Sequence, residues 1–168
     1  MGFRDWGLVG KEERHHGRDE WSDFGNDGPM KSFKELEVWR RAVQMAAAVY
    51  RITERFPPSE RYVLTPQIRR AAVSVSANIA EGWGRGSTKE YIQFLLIARG
   101  SLMELLSHFA VAHELECVQQ TDLEAIETSI EDIGKMLNGL ISSLRAKRST
   151  PNPQSPVPNP QPPPRRHS

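Results

Sequence analysis

The sequence predicts an all-α protein, an antiparallel up-down-up-down four-helix bundle carried by residues 31–148. Three observations predict it. Apolar residues recur at helical spacing in four separate stretches. The breaks between the stretches are built from Pro, Gly and capping residues. Those breaks are also short, which favours antiparallel neighbours. Residues 1–30 read as a disordered polar extension, and residues 149–168 as a disordered tail holding eight of the 12 prolines. Met30 stands just before the first ordered pattern, so residues 1–29 read either as the result of an upstream start, with Met30 the natural one, or as a real disordered arm.

The first helix is expected over about 36–55. Trp39, Ala42, Ala46, Val49, Thr53 and Phe56 step by three and four into one stripe, and Pro57-Pro58 ends it. Thr65-Pro66 reads as N-cap plus N1 proline of the second helix, which is expected to run to about Glu81. Its stripe of Ile68, Ala71, Ala72, Val75 and Ile79 is small enough for a neighbouring helix to come close.

The stretch Asn78-Ile79-Ala80-Glu81-Gly82-Trp83-Gly84-Arg85-Gly86 ends the second helix. Its alternate glycines suit a tight helix-to-helix turn. Ser87 with Glu90 reads as a capping box that opens the third helix, over about 88–115. One face of that helix holds Tyr91, Phe94, Leu95, Ala98, Leu102, Leu105, Phe109 and Ala112. Ile92, Leu96, Met103, Leu106 and Ala110 form most of a second face. A small bundle does not bury one helix all round, so the third helix is expected to be shared with another copy in a homo-oligomer.

Thr121 with Glu124 reads as a second capping box. The fourth helix then shows a heptad-like seam of Leu123, Ile126, Ile130, Ile133, Leu137, Leu140 and Leu144. Arg145, Lys147 and Arg148 close it, well placed for the helix dipole.

The net charge is +1, and residues 30–148 hold 16 Lys and Arg against 14 Asp and Glu, so bulk charge alone does not argue for nucleic acid. Cys117 is the only cysteine, which excludes an intrachain disulfide and fits a reducing cytoplasm. No signal peptide precedes the bundle, and the continuous apolar runs are too short to span a bilayer. A cytoplasmic protein without a membrane partner is the expectation.

The opening Phe33-Lys34-Glu35-Leu36-Glu37-Val38-Trp39, the Asn78–Arg85 stretch, Glu90-Tyr91, Phe94-Leu95, Ile97-Ala98, Gly100-Ser101 and Glu104-Leu105 together carry a resemblance. Over about residues 31–147 the chain resembles the bacterial four-helix-bundle proteins named after the 23S rRNA intervening sequence. It is also similar to the accessory variability determinant of diversity-generating retroelements. The resemblance implies a ring-like homo-oligomer, commonly a pentamer. It also implies RNA or DNA, or a protein such as a reverse transcriptase, as partner. The N-terminal extension and the proline-rich tail depart from that pattern.

No residue pattern declares a reaction. Glu81 and Glu104 could be paired as acid and base, but with Asn78, Arg99 and Ser101 they read better as a polar network that fixes helix register. The Glu104/His108 pair has no second copy of the kind a di-iron bundle needs. No catalytic residue, metal ligand or cofactor is assigned. Cys117 reads as a half-buried thiol at a helix end. The glycine-rich turn lacks the GxxxxGK[ST] spacing of a phosphate loop.

Clustered bases are what phosphate binding requires. Arg40-Arg41, Arg69-Arg70, Arg85 and Lys89 are the candidates, and Arg69, Arg70, Arg85 and Lys89 are the expected nucleic-acid contacts. No aromatic stacking platform is visible, so backbone-type binding with little sequence reading is expected.

Overall fold

The computed structural model describes residues 32–149. What the sequence predicts for residues 1–30 and for the tail beyond Ser149 lies outside the described residues. The described chain is all helical: α1 (Glu37–Thr53), α2 (Leu64–Gly84), α3 (Thr88–Glu114) and α4 (Gln120–Ser149), with 3-10 turns at Phe33–Glu35 and Pro58–Tyr62.

Each helix packs on the next along the chain, and α4 packs on α1 to close the bundle. The contacts fix the directions. Gly82 lies against Tyr91 and Phe94 beside the α2–α3 turn. Farther from that turn, the Ser74 and Ser101 hydroxyls are 2.9 Å apart. Arg99 donates to Asn138 Oδ1 at 3.0 Å between α3 and α4. Arg55 meets Asp122 at 2.7 Å, joining the end of α1 to the start of α4. With Arg69 of α2 on Thr53 at the end of α1, these contacts fit an antiparallel order of all four neighbouring pairs.

The 3-10 turn before α1 is held by Ser32, whose hydroxyl oxygen accepts from the Lys34 N–H at 3.2 Å. Phe33 packs edge-on against Trp39 with ring centres 5.2 Å apart. Trp39 is thereby half-buried on the turn, and Val38 takes the core position beside it. Otherwise the expected α1 stripe is buried, Phe56 included, and the whole small-residue stripe of α2 is buried.

Two caps differ from expectation. The 3-10 turn at Pro58–Tyr62 leads directly into α2, so no extended residue precedes Thr65 to make it a cap. Val63 stands at the N-cap, and Thr65 lies inside the first turn with a buried hydroxyl that makes no hydrogen bond. At α4, Val118 is buried in the connection and the helix starts at Gln120, before Thr121. The Gln119 carbonyl accepts from the Asp122 and Leu123 N–H groups, both at 3.0 Å, which places Thr121 in the first turn.

The expected capping box at Ser87 does open α3. Its hydroxyl oxygen accepts from the Glu90 N–H at 3.2 Å, and the hydroxyl donates to the Glu90 carboxylate at 2.7 Å. α2 runs three residues past Glu81, so the turn is Arg85-Gly86-Ser87, with Gly86 at φ +74°. The α4 seam also shifts. Ile141 is buried where the strict heptad names Leu140, because a helix of 3.6 residues per turn drifts off a 3.5 repeat.

α3 ends in a Schellman motif. The Cys117 N–H donates to Ala112 O at 2.8 Å, and the Glu116 N–H donates to His113 O at 2.9 Å. Glu116 therefore sits at φ +55°, where a Cβ is strained. Glu116→Gly is expected to stabilise the protein by about 0.5–1 kcal/mol, net of the added unfolded-state entropy, in a urea unfolding series.

Candidate nucleic-acid interface

The four expected contacts fall into two pairs at opposite ends of α2. Arg69 is built into the helix packing. Its Nε donates to Thr53 Oγ1 at 2.8 Å, and its guanidinium stands 4.6 Å from the centre of the Tyr50 ring. Thr53 in turn donates to Val49 O at 2.9 Å. Arg69 thus clips α2 to the last turn of α1. Arg70 is exposed and donates to Gln67 Oε1. Arg85 pairs with Glu81 across one helical turn and lies 4.9 Å from the centre of the Phe94 ring. Lys89 is exposed in the first turn of α3. Fifteen residues of helix, about 22 Å, separate Arg70 from Arg85. One chain does not bring the four into a single patch.

The topology brings other bases to Arg85 and Lys89. α1 starts at that end with Arg40 and Arg41, both paired with Glu37. α4 finishes there, and its Arg145, Lys147 and Arg148 are exposed. The antiparallel α3–α4 register that joins Arg99 to Asn138 sets the last turn of α4 beside the first turn of α3. In the sequence these three α4 bases stand out only as partners of the helix dipole. The missing signal was the topology, which puts the first helix's start and the fourth helix's end together.

The chemistry weighed from sequence is arranged as follows. Asn78 donates to Ser74 O at 2.8 Å and to Ser74 Oγ at 3.0 Å. Ser101 meets the same Ser74 hydroxyl, which makes a part-buried polar tie between α2 and α3. Glu81 and Glu104 stand outside it. Glu104 lies 3.5 Å from His108 Nε2, and about ten residues of helical register, or about 15 Å, separate it from Glu81. The acid–base pair is not assembled. Among the described residues no group of three His, Cys, Asp or Glu side chains gathers where a metal ion could sit. At the start of α3 the Glu90 N–H is already taken by the Ser87 hydroxyl oxygen, and the Glu90 carboxylate accepts from that hydroxyl. Burial, then the Glu60 charge, push the half-buried Cys117 thiol up, which keeps it protonated at neutral pH and a poor nucleophile. Burial also pushes the Tyr91 phenol above its ordinary range.

α3 keeps apolar groups outside the core. Met103 is 52% exposed and Val111 47%. Ala110 is exposed, whereas Leu96 and Leu106 are half-buried and Ile92 is buried. A groove of about 470 Å³ runs between α3 and α4 beside Met103, Leu106, Ile130 and Gly134. Among the described residues α3 is the one helix long and apolar enough to cross a membrane, with 33% of that stretch buried. The feature comes from two apolar faces on one helix, one in the core and one outside it.

A family described as 23S rRNA-intervening sequence protein matches residues 34–139. A solved structure is similar too: the crystal structure of a protein with unknown function from the S23 ribosomal protein family of Bacteroides thetaiotaomicron. The two are 23% identical with a TM-score of 0.58, over 62% of this chain and 97% of that one, a likeness of fold. No curated protein matches the chain.

Proposed function

The chain belongs to the 23S rRNA-intervening sequence protein family, and on that premise we propose that it is a non-enzymatic, oligomeric, cytoplasmic scaffold associated with nucleic acid or a ribonucleoprotein. The outer apolar face of α3 carries this reading. A soluble bundle rarely leaves so many apolar groups together on one helix unless they meet another surface. A second copy supplies such a surface, and copies placed side by side repeat each modest basic patch. Summed patches then hold phosphate backbone where one chain would hold it poorly. The arrangement of Glu81, Glu104 and Cys117 supports a binding protein over an enzyme.

The test is the mass of the full chain in solution, with RNA and DNA binding followed across a salt series on the same sample. The expected result is one defined oligomer whose affinity falls steeply with salt. Met103→Glu together with Leu106→Glu is expected to lower the mass while leaving the helical circular-dichroism signal in place. A monomer would sink the oligomeric part. A defined oligomer with no binding at low salt would make the protein a scaffold for a protein partner, such as a reverse transcriptase.

A further inference from the structure

We propose that one end of the bundle is the face that meets nucleic acid: the start of α1, the α2–α3 turn and the end of α4. It does so through the phosphate backbone, and the opposite end is turned away. The inference rests on the nucleic-acid reading above and assigns it a place on the molecule.

The observation is a segregation of charge that the near-neutral total conceals. The antiparallel register divides the bundle at mid-height. Residues 32–44, 75–100 and 135–149 form one half and hold ten Lys and Arg against four Glu. Residues 45–74 and 101–134 form the other and hold five against ten Asp and Glu. One half is therefore strongly positive and the other strongly negative. α4 shows the division within a single helix. Every acid in it, Asp122, Glu124, Glu127, Glu131 and Asp132, precedes every base, which are Lys135, Arg145, Lys147 and Arg148.

Helix dipoles do not account for the division. They favour acids at a helix start and bases at its end, as in α4. α3 runs the other way apart from its capping Glu90: Lys89 and Arg99 lie in its first half, Glu104 and Glu114 in its second. What α3 and α4 share is the end of the bundle to which their bases point. A polyanion is drawn to that end and repelled from the other, whatever its sequence.

Exposed aromatic rings indicate which part of the nucleic acid is held. Tyr62 is 84% exposed and Tyr50 41%, and both lie in the acidic half. Trp39 and Trp83 in the basic half are half-buried, packed on Phe33 and Tyr91. Among the described residues the basic end thus presents charge without an open stacking ring, which suits phosphates and not base faces. Four of its bases already pair with an acid, Arg40 and Arg41 with Glu37, Arg85 with Glu81 and Lys135 with Glu131. Lys89 and Arg148 are exposed beside each other's helices and are central to the proposed contact.

The experiment measures binding of a labelled single-stranded RNA and a labelled DNA duplex, both of arbitrary sequence, to the full-length chain at several salt concentrations. One variant carries Lys89→Gln, Arg145→Gln, Lys147→Gln and Arg148→Gln. A second carries Arg51→Gln and Arg61→Gln, both exposed in the acidic half and outside the four expected contacts. A third keeps the charge, with Lys89→Arg, Arg145→Lys, Lys147→Arg and Arg148→Lys. The first is expected to lose more than about tenfold in affinity and to flatten the salt dependence by about two to four ions. The second and third are expected to bind within about twofold of the unaltered chain, as solvated or charge-conserving changes should. Loss of binding by the second with retention by the first would overturn the assignment. So would loss by the first and third alike, because charge would then not be the cause. Salt-sensitive end-to-end self-association, with RNA affinity unchanged in the first variant, would assign the two ends to each other. An unaltered chain that binds neither probe at low salt would instead remove the nucleic-acid reading itself.

Discussion

Gly82→Ala is expected to destabilise the bundle by about 2–3 kcal/mol, the opposite of what helix propensity predicts for a glycine inside a helix. A Cβ at residue 82 would stand 2.7 Å from Phe94 Cβ and 2.8 Å from Tyr91 Cδ2. The Phe94 atom is fixed to its own backbone, so a rotamer change does not clear it, and α2 and α3 must separate. Their separation would strain the polar tie from Ser74 to Ser101. Gly84 lies one turn-half farther on in the same helix, and a Cβ there meets nothing within 4 Å. Gly84→Ala is therefore expected to be neutral or stabilising by up to about 1 kcal/mol. Urea unfolding of the two variants decides the matter, and equal effects would show that the close approach at Gly82 is not what fixes α2 on α3.

Phe109→Ala is expected to have the larger cost, about 3–5 kcal/mol. Phe109 is wholly buried and is the bulkiest apolar side chain in that state after Tyr91. Its removal forfeits the transfer energy of a ring and leaves a hole that helices packed on both sides cannot close. A domain of this size holds only about 6–18 kcal/mol in total. The loss should therefore lower the melting temperature by roughly 10–20 °C. A change of a few degrees would mean that the helices collapse into the space.

The fold was legible because its signals are local and repeated. Helical spacing at Ala42, Val49, Ile68, Val75, Leu102, Phe109, Ile130 and Leu137 named core positions that are buried. Thr65 and Thr121 misled because a capping residue is recognised by its type, whereas a cap requires an extended backbone just before the helix. The preceding 3-10 turn removes that backbone at Thr65, and at Thr121 the helix has already begun, its first N–H groups taken by the Gln119 carbonyl. Leu140 misled because a heptad was imposed on a straight helix.

The candidate site was only partly legible. Arg69 looked like a surface charge, but its partners Thr53 and Tyr50 lie on another helix, and no spacing within α2 reveals them. Arg85 pairs with Glu81 within its own helix, an arrangement that spacing does reveal. The grouping of Lys89 with the bases at the end of α4 joins residues from opposite parts of the chain. It follows from topology and is absent from any one window of sequence.

The order in which the helices touch has a consequence for how the chain reaches this state. α2 packs on α1, α3 on α2 and α4 on α3, so most native contacts join segments that follow each other. Such low contact order belongs to chains that fold in microseconds to milliseconds. The α1–α4 pairing is the exception, since it joins the two ends of the described chain and carries the largest loop-closure entropy. It is accordingly expected to be the last pairing to form. Until then α1 shows part of its core face along an open edge. The connection at residues 115–119 is the hinge about which an α4 from a second chain can fill that edge, which makes exchange of the last helix the characteristic misassembly of this topology.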